Sequence, residues 1–216
     1  MQTETFENER WERGSQSEEF RHREALRLIE GDSVLDLGCG DGLFLSLISD
    51  SNIRRYGVDI SPVAIARLKE RGLEGEVCNF SEDTLPFADN AFASVVSLDV
   101  MEHLFFPERL LTEALRVSSE CVVISVPNFS SLPARIAVMF GRVPENNRPK
   151  KGHCYWFTLS VLRAMVERSG GQVVFLRVNT FWERRPVIGS FMSALVEYFP
   201  SVFGLSFVAV IRKREM

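Results

Sequence analysis

Three glycines, Gly38, Gly40 and Gly42, fall within five residues directly behind the apolar run Ser33–Leu37, and Asp36 and Asp41 flank them in the stretch VLDLGCGDG. A chain that leaves a strand and turns sharply into a helix needs backbone angles that glycine reaches most cheaply, and a ligand lying against the turn needs the side chains out of the way. One glycine would serve an ordinary turn; three point to a ligand. The spacing is GxGxG, with Leu43 where a dinucleotide fingerprint places its third glycine. Charge discriminates further. A pyrophosphate sits on the N-terminus of the following helix, and Asp36 and Asp41 would repel it. A cationic ligand would be held, and S-adenosylmethionine carries both a sulfonium and an ammonium group. Asp59, 21 residues after Gly38 at the close of the apolar run Ile53–Ile60, is placed to accept bonds from both ribose hydroxyls.

Two histidines have the pKa range of a general base: His103 in MEHL and His153 ahead of Tyr155-Trp156-Phe157. A base is needed only if the group it serves is a hydroxyl or another weak acid; a structural, hydrogen-bonded histidine is the other reading of each. Glu102 reads as a solvated or capping carboxylate, as most carboxylates are. His22 completes a total of three histidines, too few to suggest a metal site, although carboxylates alone can bind magnesium. The cysteines at 39, 78, 121 and 154 form no CxxC pair, which argues against zinc and thioredoxin-like chemistry and for free thiols in a reducing cytoplasm.

These residues need elements to position them. Apolar spacing predicts a helix over 17–30, stopped by Gly31, and another over 41–50. Ser61-Pro62 opens a third, with Ser as N-cap and Pro at the first position; a fourth follows Pro107. A fifth spans 158–169 between Thr158 and Gly170-Gly171. Strand-like runs cover 33–37, 53–60, 74–80, 92–98, 120–126, 172–178 and 205–211. The alternation predicts an α/β, Rossmann-like, doubly wound sheet of seven strands, mostly parallel with an antiparallel C-terminal hairpin strand and helices on both faces. Ligands of such sheets lie beyond the carboxyl ends of the strands, where the glycine loop falls.

With 216 residues, 45% of them hydrophobic and 25% charged, the chain reads as a single globular domain, residues 1–216. A net charge of −4 speaks against a general nucleic-acid binder, and no apolar run is long enough for a membrane span. Residues 1–17, acidic and polar, give no secretory signal and read as a flexible tail or a lid carrying Trp11. Two insertions should cover the substrate: 127–157, apolar in SSLPARIAVMF and basic at Arg142, Arg148, Lys150 and Lys151, and 181–204, rich in aromatic residues. They suit lids, partner surfaces or satellite core.

VLDLGCGDG, YGVDIS, LPFADNAFASVVSLDVMEHL and SVPN resemble, in order over roughly residues 20–170, the motifs of class I S-adenosylmethionine-dependent methyltransferases. The flavour is similar to the MetW-like and ubiquinone-type (type 11/12) branch: NFSSLPARIAVMFGRVP resembles a stretch behind the fifth strand, and HCYWFTLSVL resembles an HxxxFT helix start. MetW itself differs before that helix, so a methionine-biosynthesis role is not carried over. The resemblance implies a methyltransferase with S-adenosyl-L-methionine as cofactor. It places Asp36 at the cofactor's amino group, through the loop or water, and Gly38, Cys39, Gly40 and Gly42 against its methionine portion. Asp59 would hold the ribose, Ile60, Asn79 and Phe80 the adenine, and Leu98 and Asp99 the space beneath the sulfonium; Asp99 as a helix cap is the alternative. His103 and His153 are the candidate catalytic bases, and no metal is implied. The expected acceptor is a small molecule, with lipid-linked or sugar-derived compounds among those that fit. A homodimer stays open, as does a non-catalytic role as an S-adenosylmethionine- or S-adenosylhomocysteine-binding regulator of another enzyme. A nicotinamide oxidoreductase is disfavoured by the acidic loop.

Overall fold

The computed structural model describes residues 17–80, 84–180 and 195–214, the side chain of Lys150 excepted, together with Thr5, Glu7, Asn8, Glu9, Trp11 and Gly14. The aromatic residues Phe6, Phe181, Trp182 and Phe191, and Met192, lie outside the described residues.

In chain order the elements are α1 (Phe20–Leu28), β1 (Ser33–Leu37), α2 (Leu43–Ser46), β2 (Arg54–Asp59), α3 (Pro62–Glu70), β3 (Glu74–Val77), β4 (Phe92–Leu98), α4 (Pro107–Val117), β5 (Ser118–Pro127), α5 (Leu132–Met139), α6 (Leu159–Arg168), β6 (Gly171–Asn179), α7 (Pro200–Phe203) and β7 (Ser206–Lys213). One 3-10 turn, Met101–His103, follows β4, and two more, Glu145–Asn147 and Pro149–Lys151, lie between α5 and α6. Among the described residues the strands form one seven-stranded sheet in the order β3-β2-β1-β4-β5-β7-β6. β7 pairs antiparallel with both β5 and β6, while the other pairs are parallel.

Both faces of the central strands β1, β4, β5 and β7 are buried, and successive residues serve opposite faces. Val34, Val96, Val123 and Val208 join Phe44, Leu45, Ile65 and Leu68 in one apolar cluster. Their neighbours Leu35, Val95, Ile124 and Ala209 join Leu110, Leu111, Leu162 and Met165 in another. The period of two along each strand therefore builds two cores, with α1, α2 and α3 over one and α4 and α6 over the other. Near-continuous Val/Ile/Leu runs such as CVVISV in β5 are what this double burial requires.

The helix starts follow local chemistry. Ser61 Oγ accepts from Ala64 N at 3.2 Å with Pro62 at the first position, and Thr158 Oγ1 accepts from Val161 N at 3.2 Å. The helix expected over 41–50 shortens to one turn. Its carbonyls at Leu45 and Ile48 are taken by Arg55 Nη1, at 3.5 and 3.2 Å, instead of by a further turn. Strand β3 ends at Val77, three residues earlier than expected, and Cys78 N donates to Asp59 O at 2.9 Å. That bond ties the chain carrying Asn79 and Phe80 to the end of β2.

Candidate cofactor and acceptor cleft

A cleft of about 650 Å³ opens beyond the carboxyl ends of β1, β2 and β4, the place where parallel sheets bind ligands. Strand β1 delivers the glycine loop. Gly38 (φ 77°) and Gly42 (φ 76°) are left-handed, and a Cβ on Gly38 would overlap Val100. Gly42 instead faces the apolar core, where a Cβ would lie 2.9 Å from Leu73 Cδ1. Four N–H groups of this loop are spent internally. Gly38 and Cys39 donate to Val58 O at 2.8 and 3.1 Å, Gly42 donates to Cys39 O at 3.0 Å, and Gly40 donates to Asp59 Oδ2 at 2.9 Å. A phosphate-cradling loop would keep those donors for its ligand.

Seven of the expected cofactor residues line the cleft: Gly38, Asp59, Ile60, Asn79, Phe80, Leu98 and Asp99. Asp59 is held at both oxygens, Oδ2 by Gly40 N and Oδ1 by Ser61 N at 2.8 Å. The other four stand behind the wall. Asp36 is buried under the loop, and burial first, with the Asp59 charge second, raises its carboxyl to about 8. Cys39 packs on the Gly57–Leu68 side, Gly42 caps α2, and Gly40 holds Asp59.

Asp41 departs from the electrostatic role expected of it. Its buried carboxylate turns onto Arg71 Nη2 at 2.7 Å and is absent from the cleft wall. The acidity of the cleft comes from elsewhere: Glu7, Glu9, Glu19, Asp59, Asp99 and Glu102 line it, against Arg21 and Lys151. Asp99 is no helix cap. It has φ 54°, its N–H donates to Ser125 O and Oγ at 3.1 and 2.9 Å, and its carboxylate meets Ser125 Oγ and, at 3.1 Å, Arg21 Nη1. Aspartate tolerates the left-handed region better than most residues.

Nothing in the sequence around Arg21 marks it as a cleft residue. Its partner Asp99 lies 78 positions away, so no local pattern marks the pair. Trp11 is buried in the cleft wall, and its segment is tied down through Asn8 to Ser61 Oγ and through Gly14 O to Arg67 Nη1 at 2.7 Å.

At the other end of the cleft the structure joins three residues from two distant segments. His103 and His153 stack edge to face with ring centroids 4.8 Å apart, and His153 Nε2 lies 3.9 Å from Glu102 Oε1. Glu102, expected to be solvated or to cap a helix, is 1% exposed. It is drawn in because its own carbonyl accepts from Cys154 N at 2.7 Å and Tyr155 N at 3.0 Å, clamping the 3-10 turn against residues 152–155. His103 Nδ1 lies 3.2 Å from Gly152 O.

Together the strand order, the glycine loop and the acidic cleft define a class I S-adenosylmethionine-dependent methyltransferase domain. Residues 20–163 match the family model described as methionine biosynthesis protein MetW, and the chain belongs to that family. It is 30% identical over 100 residues to a Mycolicibacterium smegmatis protein described as a probable S-adenosylmethionine-dependent methyltransferase; the match covers 45% of this chain and 39% of that relative. Less than half the length of such curated relatives is therefore matched. Magnesium protoporphyrin IX methyltransferase from Synechocystis, solved with bound S-adenosylhomocysteine, superposes with a TM-score of 0.65 at 14% identity, covering 97% of this chain and 98% of that one. A methyltransferase complexed with the Haloferax volcanii Trm112 methyltransferase activator gives a TM-score of 0.64 at 20% identity, over 90% and 88% of the two chains. At such identities the likeness is one of fold.

S-adenosylmethionine is the cofactor of this class, and the cleft suits it. Trp11 Nε1 and Arg21 Nε are buried there without a hydrogen-bond partner among the described residues. Two unspent donors among carboxylates match a ligand that carries one carboxylate and two positive centres.

Proposed function

We propose that this chain transfers a methyl group from S-adenosylmethionine to a small-molecule acceptor bound at the His103–His153 end of the cleft. The observation that carries the proposal is the state of the glycine loop: the N–H groups of Gly38, Cys39, Gly40 and Gly42 are consumed internally while carboxylates line the space above it, an arrangement for a cationic nucleoside and against a diphosphate.

Asp59, oriented by Gly40 and Ser61, would accept from the ribose hydroxyls. The Asn79 amide can both donate to and accept from an adenine edge, with Ile60 and Phe80 as apolar walls. Gly38 lets the methionine portion approach the backbone, with Leu98 below it and Asp36 acting from beneath the loop. Asp99 would stand beneath the sulfonium, its direction fixed by the Arg21 guanidinium bound to it. The cofactor supplies a methyl group already activated on a positive sulfur, so most of the protein's work is alignment. A group that handles the acceptor's proton is required only for a weakly acidic acceptor, and His103 and His153 stand where it would act.

Lys151 and Asn146 bring the basic insertion to the same end. They favour an acceptor with an acidic group, and the exposed Phe105, Phe106 and Trp156 nearby in sequence favour one with an apolar or aromatic part, as a lipid-linked or sugar-derived compound has.

Calorimetric titration with S-adenosylhomocysteine and NAD(H) tests the cofactor half: binding of the first alone is expected, and binding of NAD(H) alone overturns the proposal. An acceptor screen with labelled methyl groups tests transfer. One observation favours the second reading, a regulatory partner: of α5 only Ala134 is buried, leaving Leu132, Ile136, Val138 and Met139 exposed. Tight cofactor binding, a stoichiometric partner and persistent lack of transfer would establish it in place of the first.

A further inference from the structure

Glu102, His103 and His153 each present one ligand atom, and these atoms lie within 4.8 Å of one another. All three residues line the cleft. We propose that they form a site for one divalent first-row transition ion of the Zn²⁺ type, with its open coordination positions facing the acceptor. The site takes its place on the acceptor side from the methyl-transfer proposal above; the binding of the ion itself does not depend on it.

The donor set selects the ion. Two imidazole nitrogens and one carboxylate oxygen suit zinc and its neighbours, whereas magnesium and calcium favour all-oxygen shells. The tautomer is decided by a neighbour. Gly152 O only accepts, so His103 Nδ1 bears the proton of that 3.2 Å contact, and in the neutral ring Nε2 is the ligating nitrogen. A backbone carbonyl on the far nitrogen is the usual support of a metal-bound histidine. The frame is preset. The two bonds from Cys154 and Tyr155 N to Glu102 O, together with the bridge between Asn128 and Phe157, hold the His153 segment against the turn that bears Glu102 and His103. Ligands about 2.0–2.1 Å from a tetrahedral ion stand about 3.3 Å apart. Side-chain rotations that bring the atoms together by up to about 1.5 Å close the present spacing of at most 4.8 Å to that value, with the backbone left in place.

Three protein ligands leave at least one position for an exogenous donor. An oxygen of the acceptor bound there would sit against the ion, which lowers the pKa of a coordinated hydroxyl. The coordinated hydroxyl would release its proton to solvent water, its oxygen would form the bond to the methyl carbon, and the sulfur would leave with the bonding pair as S-adenosylhomocysteine, with the two imidazoles as ligands and not as separate bases.

Cobalt(II) reports on such a site through its visible absorption. Titration of the metal-stripped full chain with Co²⁺ should give one equivalent bound, with bands displaced by Zn²⁺. His103→Ala and His153→Asn should each weaken Zn²⁺ at least about tenfold and abolish the cobalt bands, while S-adenosylhomocysteine affinity stays within about twofold. Glu102→Gln should behave likewise; should that buried substitution unfold the chain, the two histidine variants carry the test. Absence of stoichiometric Co²⁺ binding, or binding that both histidine variants retain, overturns the site. Loss of S-adenosylhomocysteine binding by the wild-type chain would sink the methyltransferase proposal and leave the metal titration to be judged on its own.

Discussion

The two ends of the cleft are built by different means. At the cofactor end, adjacent parallel strands stop at neighbouring levels and their following turns meet: Gly38 and Cys39 bond to Val58 O, Gly40 bonds to Asp59, and Cys78 bonds back to Asp59 O. Each contact joins the ends of β1, β2 and β3. At the acceptor end, a 3-10 turn after β4 is clamped to a loop about fifty residues further on, and a partly exposed helix intervenes. The cofactor end is a property of the sheet; the acceptor end is assembled from insertions laid over it. An acceptor preference can therefore change without disturbing the nucleoside seat.

That contrast can be broken at several points, beginning where the effects should be largest. Gly38→Ala places a side chain in a left-handed position and drives it into Val100. The expected cost is about 2–4 kcal/mol from the backbone and overlap together, read as a loss of thermal stability. Val100→Ala in the same chain should recover the overlap part but not the backbone part. Full stability of Gly38→Ala would mean that the loop is not confined as described.

Asp59→Ala should weaken S-adenosylhomocysteine by about 1–3 kcal/mol, because it removes a ribose partner and releases Gly40 N and Ser61 N together. Asp41→Asn should leave that affinity unchanged, since its carboxylate faces Arg71. Equal effects from the two would contradict the assignment of the cleft's acidity.

The pH dependence of stability sharpens the picture of the buried base of the loop. Asp36 ionises near 8 when folded against 3.8 for the free group. The folded chain therefore holds an extra proton between those values, and the contribution is full below pH 4 and lost as pH rises through 8. Asp36→Asn should remove this slope and gain most over the wild type near pH 8.5 in parallel melts. His22 slopes the other way. Burial, with Arg21 second, lowers its pKa to about 4, so its share is full above 6.5 and lost on acidification toward 4. There its Nδ1, which accepts from Glu19 N at 3.0 Å at the head of α1, becomes protonated.

The smallest effect belongs to the insertion. Met139→Ser, at an exposed position of α5, should change stability by less than about 0.5 kcal/mol and leave S-adenosylhomocysteine affinity alone. A loss of methyl transfer or of partner capture in that variant would assign the helix a binding role.

What the sequence by itself determined is the part whose signals are local. Periodicity of two and of 3.6 marked the strands and helices, Ser61-Pro62 and Thr158 marked helix starts, and VLDLGCGDG with Asp59 marked the loop and its anchor, because a turn and the strands beside it are specified by residues near in the chain. Even there, the direction of Asp41 was illegible: nothing in DGLF says that Arg71 waits across the loop. Only the tertiary structure decided that Glu102 is buried beside His153, that Arg21 meets Asp99, and that Trp11 closes the wall. Those pairs lie far apart in sequence, and what brings them together is the packing of loops on a finished sheet, a cooperative outcome that no short window of residues encodes.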